Sequence, residues 1–170
     1  MKNLVLTVAL AACVATPIFA QPSSQTAVAN FIGKDGKETG RAALTAAKNG
    51  VFIEVEVTDL PPGKWVGFHI HETGKCDAAQ GHGTAGNHFN PGKTEHGFLA
   101  ANGPHAGDMP NQYVGSDGVL RAQVFNSMVV LDNAENGIRG RALMIHAKSD
   151  DNRSQPSGDA GERLACAVVE

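Results

Sequence analysis

Aromatic residues are scarce in this chain, with one tryptophan, one tyrosine and seven phenylalanines among 170 residues. Glycine, at 20, outnumbers them. Few rings, many glycines and short apolar runs lean towards an all-β architecture. No basic cluster is present, which speaks against a nucleic-acid partner. The apolar run Leu4 to Ala15 falls short of the roughly 20 residues that span a bilayer. The apolar fraction of 42% is ordinary and gives no sign of disorder. The length suits one compact domain, and neither an internal repeat nor a second domain is visible.

Cysteine is scarce too, at three residues. The first of them, Cys13, lies in a segment that reads as a secretory signal peptide: Lys2, the apolar run, Pro17, and Ala20 at a plausible cleavage point. Leu10-Ala11-Ala12-Cys13 also resembles a lipoprotein box, which would leave a lipidated Cys13. A soluble export signal over residues 1–20 ranks above it, with 21–170 as the mature domain. The mature chain then holds 13 basic against 17 acidic residues, a formal charge of about −4. Cys76 and Cys166 remain, and two cysteines in an exported chain favour a disulfide over two buried thiols. A loop of that length allows about 4.5 kcal/mol in the chain-entropy picture.

A strand period dominates the rest. Thr26 to Ile32 and Arg41 to Ala46 form a pair, with a turn at Lys34-Asp35-Gly36. Asn49-Gly50 is a hairpin signal. Val51, Ile53, Val55 and Val57 alternate with Phe52, Glu54 and Glu56, which predicts a sheet with one buried face. Trp65 to His71, with Trp65 read as packing, Leu120 to Phe125, Arg141 to Ala147 and Leu164 to Val169 complete the set. Strands of this kind predict a sandwich or barrel. Between Cys76 and Tyr113 the pattern collapses into a long loop without an apolar core of its own. A second polar loop runs from Lys148 to Glu162.

The long loop is rich in metal-ligand residues. His88 and His96 are separated by seven residues, His96 and His105 by eight, and Asp108 follows closely. Three imidazoles and a carboxylate make a closed tetrahedral set suited to zinc, and such a set would order a loop that lacks a core. His69 and His71 flank Ile70 on a strand, so both rings project to one face. A lone His-x-His usually carries no function, as does an isolated histidine such as His146 at a strand end. His82 reads as a plain loop residue.

Together these residues resemble a family. Gly67-Phe68-His69-Ile70-His71-Glu72, Gly86-Asn87-His88-Phe89-Asn90-Pro91 and His105-Ala106-Gly107-Asp108 are similar to the copper/zinc superoxide dismutases. So are Gly140-Arg141-Ala142-Leu143 leading to His146, and Gly161-Glu162-Arg163-Leu164-Ala165-Cys166. The blocks occur in the right order across essentially the whole mature chain, in a pattern closer to bacterial than to animal members. The resemblance implies an all-β, eight-stranded antiparallel Greek-key barrel or sandwich with two long functional loops. It implies copper on His69, His71, His88 and His146, and zinc on His88, His96, His105 and Asp108, one of each per subunit. His88 would bridge the two metals and Arg163 would line the channel to copper. Asp150 would tie ligands of the two metals together, and Cys76 and Cys166 would form the family disulfide.

The activity implied is conversion of superoxide to oxygen and hydrogen peroxide, an antioxidant defence in the cell envelope, with a periplasmic location. Superoxide is the implied partner, without nucleic acid or stable membrane insertion; a homodimer is left open. Lys148 and Lys93 are candidates for steering the anion. Two other readings compete: a metal-buffering protein on the same fold, and a copper-chaperone relative that uses the fold for partner contact. The presence of both His146 and Arg163 favours the enzyme over either.

Overall fold

The computed structural model describes residues 25–132 and 134–170. The expected signal segment 1–20, with Cys13 and the cleavage point after Ala20, lies outside these residues. Eight strands form one antiparallel sheet: β1 (Thr26–Gly33), β2 (Glu38–Ala47), β3 (Gly50–Val57), β4 (Trp65–His71), β5 (Asp108–Tyr113), β6 (Leu120–Asn126), β7 (Ala142–His146) and β8 (Arg163–Val168). Their spatial order is β5-β4-β7-β8-β1-β2-β3-β6. The edges β5 and β6 follow one another in the chain, and a bridge between Val114 and Leu120 brings them side by side, so the barrel nearly closes. The pairings β3–β6, β4–β7 and β8–β1 join strands distant in sequence, as a Greek key does.

The β3 alternation is realised as expected. Val51, Ile53, Val55 and Val57 point inward, while Glu54 and Glu56 are exposed. Leu44 opposite Ile53, and Val124 opposite it on the other side, continue the inward layer. Each fully buried Val, Ile or Phe contributes roughly 1.5–3 kcal/mol, so this inward row supplies the barrel's cohesion.

Strands β4 and β7 depart from the one-faced pattern. Every residue from Val66 to His71 and from Ala142 to His146 is buried. Phe68, Ile70, Leu143 and Ile145 face the core. The opposite face of these strands lies beneath the loops, where Ala142, Met144 and Cys166 pack with Ala85. The disulfide between Cys76 and Cys166 ties the first loop to β8 at this layer. Arg141 braces the same loop, its guanidinium 3.7 Å over the Phe89 ring and donating to the Glu72 carbonyl.

Three expectations need correction. The unstructured segment ends at Gly107 rather than at Tyr113, because Asp108–Tyr113 forms β5. Its Pro110 reads as a strand breaker, but β5 is an edge strand and shifts register there, so the missing N–H disturbs no ladder. The tight turn between β2 and β3 is at Lys48-Asn49, one residue earlier than the Asn49-Gly50 signal, since Ala47 pairs with Gly50. Trp65 is not core packing: it is 57% exposed and lies against Tyr113 across β4–β5, the ring centroids 5.4 Å apart.

Candidate metal centre

His69 and His71 leave the outer face of β4, and His146 ends the neighbouring strand β7. The loop brings His88 against them through a backbone bridge to His71. One nitrogen from each of these four buried histidines lies within 4.8 Å of the others. Hydrogen bonds on the far side of each ring select which nitrogen that is. His69 gives Nε2 to Asp150 Oδ2 at 2.7 Å, which leaves Nδ1 facing the group. His71 gives Nδ1 to the Gly86 carbonyl at 2.9 Å, and His146 gives Nδ1 to the Gly161 carbonyl at 3.3 Å. Their Nε2 atoms then meet at 3.4 Å.

A second group is made by His88, His96, His105 and Asp108, all buried. Asp108 Oδ1 lies 2.9 Å from His88 Nδ1, 3.1 Å from His96 Nδ1 and 3.5 Å from His105 Nδ1. A tetrahedral zinc with bonds of about 2.0–2.1 Å needs donors about 3.3 Å apart, and these spacings bracket that value. The other carboxylate oxygen is held by backbone, accepting from the amides of Gly97 and His105 at 2.9 Å each.

The unpartnered polar atoms test the fit to metal ions. His69 Nδ1, His88 Nε2 and His105 Nδ1 are buried without a hydrogen bond, and each points into one of the two groups. Buried ring nitrogens left unsatisfied are costly unless something else uses them. Imidazole suits both copper and zinc, and three imidazoles with one carboxylate form a closed zinc set. The residues fit two metal ions that share His88.

Asp150 links the groups from outside. Its Oδ2 takes His69 Nε2 and its Oδ1 takes His96 Nε2 at 3.1 Å. Burial alone would raise its pKa, but these bonds and the Asn152 amide hold the carboxylate well below its ordinary range. Its backbone is clamped reciprocally by the Asn111 side chain, and that of His96 by Gln155. Gly158, at φ +68°, passes so close that a Cβ there would overlap the Asp150 carboxylate. These supports act through backbone and amide groups, which leave no signature in the sequence.

Arg163 begins β8 and is half-buried. Nη1 donates to the His82 carbonyl at 2.8 Å and Nη2 to the Gly86 carbonyl at 2.7 Å. It opens, with His71, His88, His146 and Ser157, onto a cleft of about 420 Å³. Neither candidate steering lysine lines this cleft: Lys148 runs beside Gly161, which does, and Lys93 is exposed. Lys34, expected only as part of a turn, pairs with Glu162 at 2.6 Å next to Arg163.

Burial drives His71 and His146 well below their ordinary pKa and takes His88 to about 4 despite Asp108. His96 differs. Burial opposes its charge, but the bonds to Asp108 and Asp150 prevail and raise it to about 9. In protein stripped of metal, His96 is therefore protonated at pH 7 and must lose that proton to act as a ligand. Raising the pH from 7 towards 9 removes it beforehand, so zinc affinity should climb by up to about tenfold per unit and then level off. Calorimetry in buffers of different ionisation heat should count about one proton released per zinc at pH 7. Release of none would show that His96 is already neutral.

Fold and site together define a β-barrel metalloprotein with a dinuclear, histidine-sharing centre on its outer face. Residues 38–169 match the family described as copper/zinc superoxide dismutase (SODC). The chain is 43% identical over 145 residues to superoxide dismutase [Cu-Zn] 1 of Aquifex aeolicus, covering 83% of this chain and 85% of that one. The solved structure of a Cu/Zn superoxide dismutase from Brucella abortus superposes with a TM-score of 0.70 at 29% identity, covering 85% of this chain and 99% of that one. A SOD-like protein from Bacillus subtilis gives a TM-score of 0.76 at 34% identity, covering 82% and 95%. The chain belongs to the copper/zinc superoxide dismutase family.

Proposed function

We propose that this chain dismutes superoxide, turning two superoxide anions and two protons into dioxygen and hydrogen peroxide. Copper is held by His69, His71, His88 and His146, and zinc by His88, His96, His105 and Asp108. A protein described only as SOD-like shares the fold, so the fold does not carry this reading. The carrying observation is His88, whose Nδ1 meets Asp108 in one group while its unpartnered Nε2 faces the other, beside a held arginine.

When bound, copper supplies reversible one-electron transfer and zinc supplies charge and geometry. His88, as a member of both groups, would then carry neither ring proton. When not bound to a metal, the Nε2 of His88 would be the atom to hold a proton taken from solvent and pass it to the product peroxide. Two of the five donors of Arg163 are committed to carbonyls, which leaves three on a residue that lines the cleft to dock and orient a small anion. Asp150 keeps the Nε2–H tautomers of His69 and His96, so both rings offer Nδ1.

Metal analysis of the loaded protein should find about one copper and one zinc per chain, and dismutation should disappear with the copper. Arg163→Ala should keep both metals while kcat/KM falls roughly 10- to 1000-fold at low salt and loses most of its salt dependence. Dismutation that survives complete copper removal, or full metal loading without dismutation, overturns the proposal.

The same reading has residues 1–20 removed as a signal peptide and 21–170 exported to the periplasm. The Cys76–Cys166 disulfide supports an oxidising compartment. N-terminal sequencing of exported protein should begin at Gln21, whereas a lipidated Cys13 would replace this assignment with an anchor. Among the described residues no helix is long and apolar enough to cross a membrane. Pairing of two copies would use the exposed Trp65 and Tyr113 rings, and sedimentation velocity reads it.

A further inference from the structure

His82 belongs to neither metal group, yet it is fully buried, between two exposed glycines, Gly81 and Gly83. Its backbone is left-handed, at φ +57°. Glycine adopts that conformation without strain and other residues resist it, so a histidine here must be used for its side chain. Neither ring nitrogen meets a partner at hydrogen-bond geometry. Burial lowers the ring's pKa and the charge of Arg163 adds to this, while the Gly33 backbone and Asp77 oppose it. Gly33 ends β1 and pairs with Ala165, two residues beyond Arg163 on β8. The ring is thus buried in the turn whose backbone touches the barrel at Arg163, the first residue of β8.

The backbone of the same residue organises the turn. Its N–H donates to the Asp77 carbonyl at 2.8 Å. Its carbonyl accepts from the Ala85 amide at 3.1 Å and from Arg163 Nη1 at 2.8 Å. The other carbonyl on Arg163, that of Gly86, also takes His71 Nδ1, so its place is already fixed by β4. The His82 carbonyl has no such anchor except the turn itself and the ring that seats it.

We propose that His82 is a positioning residue for Arg163: its buried ring seats the turn that follows Gly81 and thereby fixes the carbonyl that holds one arm of the guanidinium. The proposal rests on the reading of Arg163 as the anion-docking group. Loss of the ring frees that arm, and the guanidinium swings out of register with the cleft while both metal groups stay intact.

The test is azide affinity of the copper- and zinc-loaded protein, read from the visible absorption of the copper, for His82→Ala, Arg163→Ala and the double variant. His82→Ala should weaken azide about 5- to 10-fold with metal content unchanged, and should add nothing in the Arg163→Ala background, as for two residues acting as one unit. His82→Gln, which refills the space with polar atoms, should recover most of the affinity and covers the case in which the alanine variant does not fold. By NMR, the Nη protons of Arg163 should exchange more slowly than those of the exposed Arg153, and lose that protection in His82→Ala. A ring that only fills space would lower urea stability equally in both backgrounds and leave azide binding unchanged; either that or additive losses overturns the inference. If Arg163→Ala itself leaves azide binding unchanged, the docking reading of Arg163 fails instead.

Discussion

Replacing His88 by alanine is expected to abolish dismutation and to weaken both metals at once. Among the described residues, His88 alone is common to the two groups. Its Nδ1 lies 2.9 Å from Asp108 Oδ1, and its Nε2 is buried without a hydrogen bond towards His69, His71 and His146. Alanine removes one donor from each set. Losing a residue that merely supports a ligand already costs about 10- to 100-fold in metal affinity, so losing the ligand should cost at least about 100-fold for each ion. Competition titration with a chelator, metal by metal, measures it. His146→Ala is the control, since it strips a donor from the first group alone and should spare zinc. A His88→Ala protein that keeps one metal at full affinity would show that the histidine is not shared.

The second large effect is expected from Asp150→Asn, which changes no ligand. The carboxylate accepts an imidazole N–H on each oxygen, from His69 at one and His96 at the other, 81 and 54 residues away in the chain. Asparagine offers one carbonyl oxygen and one NH2 group. Whichever way the amide turns, one imidazole N–H meets another donor and that ring is driven towards the wrong tautomer, while the other ring keeps an oxygen but loses the carboxylate's charge. The affinity for both ions should fall about 10- to 100-fold, and dismutation with them, while the fold stays close to native because the substitution preserves shape. Chelator competition on both metals is again the measurement. Loss confined to one metal would mean that Asp150 serves a single group.

How far the sequence foretells all this depends on where the physical cause lies. The β3 residues Val51 to Val57 reveal their strand because solvent and core alternate along it. Strand β5 hides, because Pro110 and Asp108 look like loop and only the edge position makes them acceptable. The loop set His88, His96, His105 and Asp108 is visible from donor chemistry alone. His88 as a shared ligand is not, for it depends on the loop carrying its ring between two groups gathered from distant parts of the chain; the family resemblance carries it. His82 gave no signal at all. Its burial is a tertiary fact, and the carbonyl it presents to Arg163 is a backbone group that any residue possesses.

Both faces of β4 and β7 are occupied, whereas the strands on the far side of the barrel, β2 and β3, turn Arg41, Glu54 and Glu56 to open water. The molecule thus has a working side and a handle. An engineer wishing to wire this protein to an electrode, a bead or a fusion partner should fix the linker at Glu54 or Arg41. Held there, it would present its cleft outward and leave every loop untouched.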